Sequence, residues 1–87
     1  MRGNEGAEPN GPQRVMIYAD FNNIDQDGFL RLNCAGTAND LALSGQVLNS
    51  GLTLVVSDGD LIANIIVRPP STEGVWRGEI VGEIRER

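Results

Sequence analysis

The chain has 87 residues, a formal charge of −5 and 40% hydrophobic residues, which bounds it to one small domain. With no His and one Cys, it cannot build within itself a Ser-His-Asp or Cys-His catalytic site, a Cys₂His₂ or Cys₄ zinc site, or an intramolecular disulfide. No apolar run approaches the roughly 18 residues that span a bilayer, no Walker loop or GxGxxG fingerprint is present, and the acidic balance disfavours nucleic-acid phosphates and anionic membranes.

Residues 1–14, MRGNEGAEPNGPQR, offer little apolar surface to offset the entropy of ordering. They are expected to form a disordered tail. They also lack the apolar stretch of a secretory signal peptide. Residues 15–21, VMIYADF, are β-branched and aromatic and predict a strand, with Val15, Ile17, Ala19 and Phe21 on one face. The cluster NNIDQDG that follows is dense in turn formers. Residues 29–34, FLRLNC, predict a half-buried strand with Leu30, Leu32 and Cys34 on one face. The two strands read as a hairpin with a long loop.

Residues 35–50 lack strand alternation. Thr37-Ala-Asn-Asp40 resembles a capping box, with Asp in place of Glu, and Ser44-Gly45 is a stop signal. One short helical turn near 38–43 is expected. Leu41, Leu43, Val47 and Leu48 are expected to plug the end of the core. Residues 52–57 predict a third strand, Ser57-Asp-Gly-Asp60 a tight turn, and residues 61–68 a fourth strand ended by Pro69-Pro70. In residues 75–87, Trp76, Ile80 and Ile84 fit either a helical stripe or one face of a strand. Gly78 and Gly82 weigh against a helix, at about 1 kcal/mol each relative to Ala. In a strand they would let the sheet bend and let neighbours approach closely. The reading favours a strand that frays beyond Ile84.

Five short strands and one helical turn indicate an all-β domain over residues 15–87: a small, strongly bent, five-stranded barrel, SH3-like, with an OB-like barrel or small β-sandwich as alternatives. So small a core supplies only a few kcal/mol, and an exposed edge strand would offer a route to association.

Several residue sets bear on function. Asn23-Ile-Asp25-Gln-Asp27-Gly28 matches the first half of a calcium-loop pattern. Asp20 and Asn22 could supply further oxygens in a different geometry, but Cys34 stands where the bidentate Glu belongs, and turn chemistry accounts for the same residues. Asp58 and Asp60 are a carboxylate pair of the kind used in acid–base work, set in what reads as an Asp-Gly turn. Tyr18, Phe29 and Trp76 could form an aromatic patch of the kind that binds proline-rich ligands; Trp76 equally suits the core. Arg31, Arg68 and Arg77 fall on outward faces of three strands. Together they would be a basic patch for acidic motifs or phosphates, unless they pair with carboxylates across the sheet. Cys34, in an apolar register, reads as a buried structural thiol.

The stretch Tyr18-Ala-Asp-Phe-Asn-Asn23, with Arg31-Leu-Asn33, Gly36-Thr37, Asp40-Leu41, Gly51-Leu52 and Trp76, resembles a set of small bacterial all-β proteins with no established activity. The resemblance spans roughly residues 16–82. It implies a bacterial, cytoplasmic, stand-alone domain and carries over no functional residue.

The leading expectation is a non-enzymatic module that binds another protein or itself, with no cofactor. The alternatives are a calcium-binding module using the 20–28 loop and a single-stranded nucleic-acid-binding barrel carrying the three arginines. An enzyme ranks last.

Overall fold

The computed structural model describes residues 16–87. The tail expected over residues 1–14, and Val15, lie outside the described residues. Five strands and one helix follow in chain order: β1 (Met16–Tyr18), β2 (Leu30–Arg31), α1 (Ala35–Ser44), β3 (Thr53–Ser57), β4 (Leu61–Arg68) and β5 (Arg77–Glu86). The strands form one sheet in the order β1-β3-β4-β5-β2, curled into a half-barrel. The small, bent, five-stranded all-β architecture expected from the sequence is therefore present. The C-terminal segment is a strand, and it remains paired to Glu86 instead of fraying beyond Ile84.

The period-2 pattern explains which face is inside. Ile17, Leu30, Leu32, Leu54, Val56, Ala63, Ile65 and Val67 are all buried and form one cluster with Ala19. Phe21, Leu41, Leu48, Leu52, Trp76 and Ile80 pack around it. The register places inward residues opposite one another: Ile17 with Val56, Leu54 with Ile65, and Ile65 with Ile80.

Two glycines of β5 shape the curl. Gly78 lies opposite Val67 and Leu30, and a Cβ there would sit 2.5 Å from Cδ1 of Ile65, so its missing side chain makes room for a core isoleucine. Gly82 has φ +77° and lies where the β4–β5 register slips. Asn64 pairs with Val81 and Ile62 with Arg85, so β5 carries extra residues there, as in a β-bulge.

Several expectations are corrected. Strands β1 and β2 are not a hairpin. They occupy opposite edges of the sheet, and β1 runs parallel to β3. The turn formers between them carry the chain from one edge to the other, closing a local bridge of their own between Ile24 and Leu30. The helix is ten residues long and starts at Ala35, with Cys34 as an N-cap that makes no side-chain bond. Cys34 is thus half-buried at a helix end, not a buried strand residue. Thr37 and Asp40 do not form a capping box, because their side chains turn to β1 (below). Gly45 ends the helix in the left-handed conformation, its N–H donating to Leu41, as its sequence position suggests. Finally, Leu41 and Leu48 reach the core but Leu43 and Val47 are 79% and 75% exposed. On a 3.6-residue period Thr37 and Leu41 share a face, and Leu43 falls on the other side.

Candidate functional site

The two edges of a sheet carry its unpaired main-chain groups, and here they are treated differently. At the β1 edge, the ladder to β3 turns Ala19 inward, its N–H donating to Ser57. The N–H and C=O of Tyr18 therefore point away from the sheet. Helix α1 supplies both partners. The Tyr18 N–H donates to Asp40 Oδ2 at 2.8 Å, and Thr37 Oγ1 donates to the Tyr18 carbonyl at 2.6 Å. An i, i+3 pair on one helix face thus stands in for a neighbouring strand. Gly36 lets the helix approach, since a Cβ there would lie 2.9 Å from the Tyr18 ring.

The opposite edge is mostly open among the described residues. Strand β2 pairs only with Arg77 and Gly78 of β5, and β5 touches no element other than β4 and β2 among the described residues. Residues 79–86 therefore have a partner strand on one side only. The Leu32 N–H donates to the Trp76 carbonyl and the Arg87 N–H to Asp60. Alternation from these two anchors turns the main-chain groups of Ile80, Ile84 and Glu86 to the open side. Val81 and Ile84 are 44% and 47% exposed, and residues 81–87 are exposed throughout.

The residues singled out in the sequence occupy other places. Arg68 lies directly opposite Arg77, and Arg77 opposite Arg31, so the three arginines form one row across β4, β5 and β2. Like charges in register repel, and carboxylates relieve this at each. Arg31 forks onto Glu73, at 2.8 and 2.9 Å. Arg68 Nε donates to Glu79 at 2.8 Å. Arg77, only 11% exposed, faces Asp25 and Asp27 at 3.4 and 3.0 Å; it also donates to the Pro69 carbonyl and lies 5.0 Å over the Phe29 ring. The row is assembled but committed, with no guanidinium left as a free cationic strip.

The calcium-type loop is also turned to internal use. Asp25 is buried, and its Oδ1 accepts from the N–H groups of Asp27 and Phe29 while Oδ2 faces Arg77. These N–H donors, that of Phe29 foremost, hold its carboxyl below its ordinary value of 3.8. Asp27 faces Arg77, Asp20 accepts from the Asn22 N–H, and Asn23 bonds Asn33 and Arg31. Among the described residues, no three His, Cys, Asp or Glu side chains converge on a point that could hold a metal ion.

The aromatic residues are apart. Tyr18 lies against α1 at one edge, Phe29 under Arg77 at the other, and Trp76 against the core. Asp58 Oδ1 accepts from the N–H groups of Asp60 and Leu61, which places it in turn formation. It borders an open recess of about 280 Å³ that also includes Asp40 and Arg87, but Asp40 is already taken by the Tyr18 N–H.

The sequence reading missed the pairing of Thr37 and Asp40 with Tyr18, and the part of Glu73. The first had a signal, misassigned: a Thr and an Asp three apart on a helix can serve a neighbour as well as their own N-terminus. Glu73 lies in a loop, and nothing local marks its partner.

No protein-family model, curated protein or solved structure matches this chain. No helix among the described residues is long and apolar enough to cross a membrane.

Proposed function

We propose that this protein is a non-enzymatic interaction module that binds by strand addition at the open edge of β5. The observation that carries the reading is the contrast between the edges. One is closed by dedicated side chains of α1, whereas β5 beyond Gly78 has, among the described residues, no strand on its outer side, and it carries the exposed side chains Val81 and Ile84. A strand laid along such an edge gains main-chain hydrogen bonds, and pockets at alternate positions add selectivity. The calcium and nucleic-acid readings gain no such support, because the carboxylates and guanidinium groups they need are engaged with one another.

The test is selection from a displayed library of ten-residue peptides, with the site mapped on the amide spectrum of the full chain. Bound peptides, or a second copy of the chain, should perturb residues 79–86. Ile84→Pro should abolish both, since it removes an outward donor without touching the β4 ladder. Binding that maps elsewhere, or that survives Ile84→Pro, overturns the reading. So does a chain that stays monomeric and selects no peptide.

A further inference from the structure

We infer that the occupant of the β5 edge is β5 of a second copy, paired antiparallel about a two-fold axis at Ile84. This rests on the strand-addition reading and adds a partner and a register to it. After the bulge at Gly82 the strand is regular again, with Arg85 and Glu86 paired to Ile62 and Leu61. Its outward main-chain groups are those of Ile84 and Glu86, so a second antiparallel strand must match even-numbered positions with even-numbered ones to form a ladder.

A two-fold interface presents the same patch twice and must be complementary to itself. The tripeptide Glu83-Ile84-Arg85 meets that condition. Centred on Ile84, each Glu83 lies opposite the Arg85 of the other copy, and the two exposed isoleucines meet on the other face of the ribbon. The neighbouring two-fold registers fail. Centring on residue 83 sets Glu83 against Glu83, and centring on residue 85 sets Arg85 against Arg85. The segment is exposed on both faces, and neither Glu83 nor Arg85 enters a salt bridge among the described residues. Charges that only guarded an edge could take any sign order; here the order is symmetric about one residue.

Sedimentation equilibrium on the full chain and two charge reversals decides it. The contact is small, so association is expected between about 10 µM and about 1 mM. Glu83→Arg and Arg85→Glu each place two like-charged pairs in the interface and should weaken self-association about tenfold or more. An equimolar mixture of the two variants should recover the dimer, because one copy then presents only arginine at positions 83 and 85 and the other only glutamate. Both sites are exposed, so an unchanged amide spectrum at low concentration verifies the fold. A wild-type chain that stays monomeric to 1 mM, variants that dimerise as well as wild type, or a mixture that stays monomeric each overturns the proposal. If wild type is monomeric but selected peptides map to residues 79–86, only self-pairing fails. If association survives both reversals and Ile84→Pro, strand addition fails with it.

Discussion

Thr37 shows how much one hydroxyl can do. It is fully buried, and its Oγ1 donates to the outward carbonyl of Tyr18. Thr37→Val keeps the shape but leaves that carbonyl without its donor, a cost of about 1–3 kcal/mol. It should appear as a lower denaturant midpoint with an unchanged slope; an unchanged midpoint would mean that water replaces the hydroxyl at no cost. Arg77 is the corresponding hub on the other edge, joining Asp25, Asp27, Phe29 and Pro69. Arg77→Lys keeps the charge but not the fork that reaches several acceptors. The expected result is a lower midpoint and faster amide exchange across residues 25–29.

At the scale of elements, strands β4 and β5 are matched by a missing side chain. A Cβ at Gly78 would meet Cδ1 and Cβ of Ile65 at 2.5 and 3.3 Å, so Gly78→Ala overpacks the core by about 1–3 kcal/mol. Ile65→Val removes Cδ1 and by itself costs about 0.5–1.5 kcal/mol. The double substitution should cost less than the sum of the two, the sign of two residues in contact. Strict additivity would show that the strands separate instead. Gly82 acts by conformation and not by space: its φ of +77° has nothing within 4 Å of the Cβ position. Gly82→Ala should cost about 1–2 kcal/mol from the left-handed backbone alone.

The molecule as a whole has an acid limit set by its turns and ion pairs. Asp25, Asp58 and Glu73 are each held below their ordinary values, chiefly by the Phe29 N–H, the Leu61 N–H and the Arg31 side chain respectively. The folded state binds these protons more weakly than the unfolded chain. Their contribution is therefore complete above the unfolded values, near pH 4–5, and is lost as pH falls through the lower folded ones. With no His in the chain, stability measured by urea unfolding should be flat from about pH 5.5 to 8 and drop below about pH 4. Asp25→Asn should flatten part of that drop. A slope that begins near pH 6.5 would contradict this account.

The sequence by itself determined that five segments are strands and where the chain turns, and for β3 and β4 which face is inside. Strands β1 and β2 are shorter than their alternation suggests, Met16–Tyr18 and Leu30–Arg31, and Cys34 and Ile84 are not inward. The properties it determined are local. Alternation at Leu54, Val56, Ala63, Ile65 and Val67, the Asp-Gly turn at Asp58–Gly59 and the stop at Gly45 each rest on neighbours within a few residues. The two β5 glycines were legible for the same reason, since each disfavours a helix by about 1 kcal/mol relative to Ala. Partner choice was left to the tertiary structure. Met16–Tyr18 could pair with FLRLNC or with TLVVS on alternation alone, because a half-buried strand marks its inner face and not its neighbour. Only the assembled sheet decided that β1 and β2 lie at opposite edges, that three arginines stand in one row and four carboxylates face them, and that Thr37 and Asp40 close one edge while β5 stays open among the described residues. Those contacts join residues far apart in the chain, and their geometry exists only once the long-range pairings are made.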